Sequence, residues 1–458
     1  MHTDYIIIGA GLTGLSLALF LKDKGYGVAV VEKSGRAGGQ MHTVRDEGFV
    51  FESGPNTGVV GNEAVLRLFA ILGDDCPLRE ANRRAAVRQV LYKGRPTDLP
   101  SGLLSSVMTP LFTWRDKLRF LGEPFRARGK DPLETVADMV RRRLGCSFYD
   151  YAVDPFISGI YAGNPERLVT RFALPRLYRL ERDYGSFVRG AIKRSKAIAA
   201  ERARGVSRSI FSVDGGFSSL VDAIVSRVGE ESIFLSADYE LQKLSDNKWK
   251  VSFADASLPS LKASTVISTV PAHALEALLP FVSKADLAPI SRMEYAPVIE
   301  VGVGLADGSR IPKAFGLLVP SVEGEDVLGI LYNSSTHEGR APEGGASLSV
   351  FLGGMRRPEM LDLPDAEIAA IVSEALSRYF DYPEGIMPDK MYIFRHRRAI
   401  PQYEADTEAR LRAISEIQMR HEGLILAGGI CDGIGVADRI AQADRIARVL
   451  DDRRGEGK

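Results

Sequence analysis

The stretch that decides the fold is DYIIIGAGLTGLSLALFLKDKGYGVAVVEKSGRAGGQ, Asp4 to Gln40. Tyr5 to Ile8 is a short apolar run, as expected of a parallel strand buried on both faces. Gly9, Gly11 and Gly14 follow at GxGxxG spacing. Leu15, Ala18, Leu19 and Leu21 then recur at helical spacing, and Gly25 is placed to end that helix. Val28 to Val31 reads as a second strand, with Glu32 at its carboxyl end. Gly9 permits the tight turn, Gly11 lets the backbone approach a pyrophosphate, and Gly14 lets helix and strand pack closely. The helix N-terminus offers unpaired N–H groups and a positive dipole end to phosphates. Glu32 can accept hydrogen bonds from ribose hydroxyls, and its charge opposes a 2′-phosphate. A lone glycine motif is weak evidence. Here strand, turn, helix, second strand and acid stand in register, which predicts a dinucleotide-binding unit.

Outward from this unit, 458 residues are enough for two or three lobes at about 150 residues each. With 59 basic and 59 acidic residues the net charge is zero, so no global field recruits nucleic acid. Cys76, Cys146 and Cys431 lie far apart, which argues against a disulfide framework or a zinc site and fits a reducing, cytoplasmic setting. Tyr5 to Leu21 is apolar, but three glycines interrupt it and it falls short of a span of about 20 apolar residues.

GFVFESGPNTGVV (48–60) reads as a strand and a Gly-Pro turn, and a helix-rich region is expected from about Glu63 to Arg204. That region is basic: residues 115–143 hold nine Lys/Arg against five Asp/Glu, and residues 176–208 hold ten against three. Most of these charges read as a solvated surface; the sharper reading is a patch for anionic lipid or a polycarboxylate ligand. From Ser209 strands are expected through SIFSVDGGFSSLVDAI, SIFLSADYELQKL, KWKVSF and TVISTVPAH, forming a sheet inserted between halves of the dinucleotide fold. VIEVGVG (298–304) and VLGILY (327–332) predict a second sheet, and Asp365 to Tyr379 a helix. LILAGGICDGIGVADRIAQADRIARVL returns to strand, glycine loop and helix.

SGRAGGQ, just beyond Glu32, resembles the extended FAD fingerprint of amine oxidase-like flavoproteins, with Gln40 where Arg or Lys is common. FESGPNTG (51–58), DPFISGIYAGNPERL (154–168), FGLLVPSVEGEDVLGILYNSS (315–335) with RAP (340–342), AIPQY (399–403) and AGGICDGIGVADRI (427–440) together resemble the protoporphyrinogen oxidase family. That family lies within the FAD-containing amine oxidase and phytoene desaturase superfamily. The resemblance implies an α/β fold: a discontinuous Rossmann-like FAD-binding domain, an inserted mixed-sheet substrate domain and a helical lobe. The expected divisions are 1–80, 206–290 and 396–458 for the FAD-binding parts, 81–205 for the helical membrane or substrate lobe, and 291–395 for the substrate domain. It implies FAD contacts from Gly9, Gly11, Gly14, Glu32, Arg36, Gly39, Tyr239, Gly428, Gly435 and Val436. Asp432 and Gly433 share that last loop; for Asp432 a helix-capping turn is the plain alternative. A covalent flavin link through Cys431 is not expected, since the thiol-linked relatives place their cysteine well upstream.

The reaction implied is six-electron oxidation of protoporphyrinogen IX to protoporphyrin IX, with the flavin carrying the redox step and no catalytic side chain required. For the substrate the resemblance implies Asn56, Gly159, Gly163, Leu318 and His337, the last where plant-type relatives stack a Phe; His396 stands where many have Trp. An arginine that pairs with a propionate in relatives aligns ungapped with Gln89, so Arg88 and Arg95 are the candidates, with surface solvation an equal alternative. Other readings are oxidation of coproporphyrinogen III, a flavin desaturase or amine oxidase of another lipophilic substrate, and a Rab GDP-dissociation-inhibitor-like binding module. The complete glycine set and Glu32 oppose the last. The expected partners are a porphyrinogen, oxygen or a quinone as electron acceptor, and the cytoplasmic face of a membrane reached through the basic lobe and LPSGLLSSVMTPLF (99–112). A homodimer is compatible with the sequence, and nucleic acid is not expected.

Overall fold

The computed structural model describes residues 1–101, 103–246 and 248–455. Its opening forms strand Tyr5–Ile8, helix Leu12–Asp23 and strand Val28–Val31, as the pattern predicts. Every residue of both strands is buried, which is why each reads as an unbroken apolar run. A five-stranded parallel sheet gathers distant parts of the chain in the order Ile233–Phe234, Val28–Val31, Tyr5–Ile8, Thr265–Ser268, Leu424–Leu426. Ile8 pairs with both Val31 and Ser268, so these strands end level at one carboxyl edge. Leu15, Leu220, Ile224 and Ile440, from helices Leu12–Asp23, Phe217–Val228 and Val436–Gly455, share one core with Ile7 and Val30.

Strands Tyr239–Lys243, Trp249–Phe253 and Leu261–Ala263 make a small antiparallel sheet between two strands of the parallel one, as expected. The second large sheet has seven strands, in the order Lys390–Pro401, Tyr295–Leu305, Ala346–Gly353, Val327–Tyr332, Gly316–Leu318, Gln89–Tyr92, Arg95–Asp98. One face packs Ile299, Val301 and Val303 against Ile368, Val372 and Leu376 of helix Asp365–Phe380. The other face lies on strand Phe49–Ser53: a Cβ at Gly302 would stand 2.9 Å from Phe51, and one at Gly304 3.0 Å from Phe49.

Two expectations need correction. The region from Glu63 to Arg204 is helix-rich, but within the 81–205 expected as the helical lobe Gln89–Tyr92 and Arg95–Asp98 form a hairpin that enters the seven-stranded sheet. The turn at Lys93 and Gly94, both with positive φ, is the local cause, joining two short runs of which the first is buried at its centre. In SIFSVDGGFSSLVDAI only Ile210–Val213 is a strand; past Gly216 the segment is helix Phe217–Val228. Phe217, Leu220, Val221, Ile224 and Val228 supply the buried helical face that short-range strand signals obscured. Helices Trp114–Leu121, Val136–Arg143, Asp154–Tyr161, Pro175–Tyr184 and Phe187–Ala203 form the basic lobe. Among the described residues no helix is long and apolar enough to cross a membrane, and Gly102 of the apolar stretch 99–112 lies outside them.

Candidate active site

The three glycines of the first turn differ in what surrounds them. Gly9 has φ +105°, a conformation that glycine adopts without strain, and a Cβ there would stand 2.6 Å from Thr269 Oγ1. The Thr269 hydroxyl lies 3.1 Å from both the Ile8 and Gly9 carbonyls, tying the turn to the neighbouring strand. A Cβ at Gly14 would stand 2.0 Å from Gly9 O, so helix and turn touch at backbone level. A Cβ at Gly11 would meet nothing within 4 Å. Packing therefore demands glycine at 9 and 14, whereas Gly11 faces open space at the N-terminus of helix Leu12–Asp23, the approach a pyrophosphate needs.

The second glycine pair closes on the first. Gly38 N donates to Ala10 O at 2.8 Å, and a Cβ at Gly39 would lie 3.1 Å from Gly11 Cα. Arg36 turns back on its own loop, donating to Met41 O at 2.9 Å and Gly39 O at 2.7 Å. Glu32 accepts from Ala10 N and Ser34 N, each at 2.8 Å, so the acid is fixed beside the turn. Tyr239 stands close by; burial first, and the Glu32 charge second, push its phenol up to about 12. Glu32 and Tyr239 thus mark one end of the cradle.

The C-terminal loop marks the other. Gly428 has φ +88°, and its N–H donates to Gln442 Oε1 at 2.7 Å. Val436 opens helix Val436–Gly455 with its side chain in the core, and Asp438 Oδ2 accepts from Gly435 N at 3.3 Å. Capping therefore falls to Asp438, while Asp432 accepts from Gln442 at 2.7 Å and Arg445 at 2.9 Å. Cys431 donates to Leu426 O at 3.3 Å, and burial pushes its thiol up to about 12, so it stays protonated. Tyr403, which the sequence reading did not single out, donates its hydroxyl hydrogen to this loop, lying 2.9 Å from Gly429 O and 2.8 Å from Gly433 O. An open Gly11, two interlocked glycine turns and a helix N-terminus at each end suit a dinucleotide such as FAD, which Gly11, Glu32 and the Gly428–Val436 loop would hold.

On the substrate side the structure brings several expected residues together. A Cβ at Gly159 would lie 2.5 Å from Leu318 Cδ2, so this glycine makes room for that leucine. At Gly163 it would lie 2.6 Å from Gln402 Oε1, and Gln402 Nε2 donates to Tyr161 O at 3.0 Å. The YAGNP and AIPQY blocks are therefore docked on each other. Leu318 pairs with Val90, and Tyr92 pairs with Arg95, so strand alternation puts Arg88 and Arg95 on the Leu318 face. Gln89 is on the opposite face, donating to Asp98 at 2.9 Å and accepting from Tyr332 at 3.1 Å. Both arginines are exposed, Arg88 with its guanidinium 5.7 Å from the Phe315 ring centroid.

Asn56 and His337 are buried instead of lining an open wall. Asn56 Nδ2 donates to Glu300 Oε1 at 2.6 Å, and its Oδ1 accepts from Ser349 Oγ at 2.8 Å. His337 follows the short helix Asn333–Thr336, and its Nε2 has no hydrogen-bond partner among the described residues. Burial, then Arg340, push its imidazole down to about 4, so it is neutral near pH 7. His396 Nε2 lies 3.3 Å from Ser53 Oγ. Glu300 escaped the sequence reading, although one acid in the apolar run VIEVGVG was a signal in plain view.

The family described as flavin containing amine oxidoreductase matches residues 12–449. The chain is 29% identical over 463 residues to the chloroplastic protoporphyrinogen oxidase of Nicotiana tabacum, covering 94% of this chain and 82% of that one. It is 30% identical to the protoporphyrinogen oxidase of Homo sapiens over 475 residues, covering 95% of each. A crystal structure from Exiguobacterium sp. 255-15 superposes with a TM-score of 0.79 at 20% identity, covering 98% of both chains, a likeness of fold alone. With the glycine cradle at both ends of the chain and a family match from one end to the other, the protein belongs to the flavin-containing amine oxidoreductases.

Proposed function

We infer that the chain is an FAD-dependent oxidoreductase that converts protoporphyrinogen IX to protoporphyrin IX in porphyrin biosynthesis. The observation that carries this reading is the full-length likeness to protoporphyrinogen oxidases of plants and mammals. The meeting of Gly159 with Leu318, and of Gly163 with Gln402, supports it. Six hydrogens leave the macrocycle in three two-electron steps, and bound FAD supplies the electron acceptor for each. The chain's own part is to orient and enclose the macrocycle. Leu318 offers an apolar surface to a pyrrole ring, and Arg88, on the same sheet face, offers a cation to a propionate.

Purified, FAD-loaded protein mixed aerobically with protoporphyrinogen IX, and in parallel with coproporphyrinogen III, tests this by porphyrin fluorescence. Faster fluorescence with the first substrate is expected, and would make oxygen a competent acceptor alongside a quinone. Preference for the second would move the substrate by one carboxylate class; silence with both, at full flavin loading and with a quinone added, would overturn the reading. Arg88→Ala is expected to raise KM about tenfold with little change in kcat, the scale of one charge-assisted hydrogen bond. An unchanged KM would return Arg88 to surface solvation.

Membrane docking belongs to the same proposal. Met108, Trp114, Leu118, Leu121 and Phe125 of the helical lobe are exposed, Phe125 by 85%, in a stretch that also carries the exposed Arg115, Arg128 and Lys130. Apolar side chains set among cations suit the boundary of an anionic bilayer, and both porphyrinogen and porphyrin are poorly soluble in water. The protein is expected to float with anionic vesicles at low salt, and Trp114→Glu with Leu118→Glu to abolish this. No flotation of the wild type would remove the contact.

A further inference from the structure

The face of strand Tyr295–Leu305 turned toward strand Phe49–Ser53 presents Ala296, Val298, Glu300, Gly302 and Gly304, one carboxyl in a row of small and apolar groups. Glu300 is 1% exposed. Its Oε2 accepts from Gly54 N at 2.8 Å and its Oε1 from Asn56 Nδ2 at 2.6 Å. Asn56 Oδ1 accepts from Ser349 Oγ at 2.8 Å, and Ser349 Oγ accepts from Asn333 Nδ2 at 3.0 Å.

The charged neighbours on this side are committed elsewhere. Glu52 pairs with Arg340 at 2.9 Å and takes the Thr43 hydroxyl at 2.7 Å. Arg340 also donates to Ser212. On the adjoining strand His396 meets Ser53, while Lys390 and Tyr392 are bonded to Asp46. Arg36 donates to its own loop's carbonyls. An ionised Glu300 would thus be a second buried carboxylate beside Glu52 without a cation of its own. Burial first, and Glu52 in addition, push its carboxyl up to about 8.

Glu300 holds both ends of one turn, with Gly54 N–H on one oxygen and the Asn56 amide on the other. The Ser349 hydroxyl in turn fixes Asn56 through its Oδ1. On ionisation both donors remain on the carboxylate, and a buried negative charge without a cation of its own appears at the turn. The turn so held lies on the second glycine loop: Gly54 has φ +120°, and a Cβ there would stand 2.3 Å from Gln40 O. That loop is the one in contact with Gly11.

We propose that Glu300 is a positioning residue for the flavin reaction: it fixes the Gly54–Asn56 turn against the second glycine loop of the cofactor cradle, and its ionisation sets a buried negative charge in that turn. For turnover the inference rests on the porphyrinogen reading, but the state of the bound flavin reports on Glu300 without any substrate.

The test is a pH titration of the visible absorbance of FAD-loaded wild type from about pH 6 to 9, below the range in which flavin itself loses a proton. A one-proton transition is expected in the wild type and none in Glu300→Gln, whose side chain keeps one acceptor oxygen for the turn but cannot ionise. The wild-type kcat is expected to fall about tenfold per unit above the same midpoint with KM unchanged, and the ratio of kcat at pH 9 to pH 7 to be restored toward one in Glu300→Gln. No transition in the wild type, or the same transition in Glu300→Gln, overturns the proposal. Where the variant does not load FAD, the wild-type titration decides alone. A normal flavin transition with no porphyrin formed from either porphyrinogen sinks the substrate reading and upholds Glu300.

Discussion

Arg143→Ala is expected to cost the helical lobe about 3–5 kcal/mol, the scale for breaking a buried ion pair by removing one partner. Arg143 and Glu123 are fully buried and Glu181 nearly so. Arg143 Nε donates to Glu123 Oε1 at 2.7 Å and its Nη2 to Gly185 O at 2.8 Å, while Nη1 meets Glu181. Glu123 also accepts from Phe187 N at 2.9 Å, at the N-terminus of helix Phe187–Ala203, so one carboxylate joins three segments. Alanine leaves two carboxylates buried with one partner fewer. Burial by itself raises both acids, yet Ser186, Phe187 N–H and Arg143 hold Glu123 below its ordinary value, and Arg142 with Gly129 N–H does the same for Glu181.

Depressed carboxylates stabilise the fold above their unfolded pKa of about 4.3, and that contribution is lost as pH falls through the lower folded values. Wild type is therefore expected to lose lobe stability on acidification, and Arg143→Ala at neutral pH to resemble the acidified wild type. Urea unfolding followed by circular dichroism, with FAD release recorded in parallel, reads both effects. A loss below about 1 kcal/mol would show that the network relaxes around the missing guanidinium.

Gly14→Val is expected to abolish flavin loading and Gly11→Ala to weaken it, by different physical routes. At Gly14 the added Cβ would meet a backbone oxygen at 2.0 Å, so helix Leu12–Asp23 must move off the first strand. Overpacking of this kind costs about 1–3 kcal/mol, and contact with backbone sets it at the upper end. Gly14→Val should lose both thermal stability and colour. At Gly11 φ is −73° and the Cβ meets nothing, so alanine fits the empty protein. It fills the approach that a pyrophosphate requires, and the expected result is an unchanged apoprotein melting temperature with FAD affinity lowered tenfold or more. Absorbance at the flavin band per protein, set beside apoprotein melting curves, separates the two routes. A Gly11→Ala variant that loads FAD normally would remove the phosphate role from that residue.

The conformation of the glycine turns was legible residue by residue, because each of its signals is local. The sign of φ at Gly9, the touch of Gly14 on Gly9 and the placing of Glu32 after a buried strand are settled within about thirty residues. The same holds for the strand and helix at the chain's other end. The substrate side was legible only as blocks. That YAGNP docks on AIPQY, and that Gly159 faces Leu318, depends on contacts between segments more than a hundred residues apart.

Tertiary structure alone decided three matters. Hairpin 89–98 enters a sheet whose other strands lie beyond residue 290, and strand pairing there turns Gln89 away from Leu318 and Arg88 toward it. A one-residue step along a strand reverses the face, so an ungapped alignment could not choose between them. The state of Glu300 depends on its distance from Glu52 and on the exclusion of water, which are properties of the packed sheet and not of VIEVGVG. Tyr403 reaches the loop at Gly429 and Gly433 from a neighbouring strand end. By itself the sequence determined the two glycine turns, since a positive φ and a backbone contact are set by near neighbours. Which side chains face the substrate, and which acid keeps its proton, are set by strand register and burial across the whole chain.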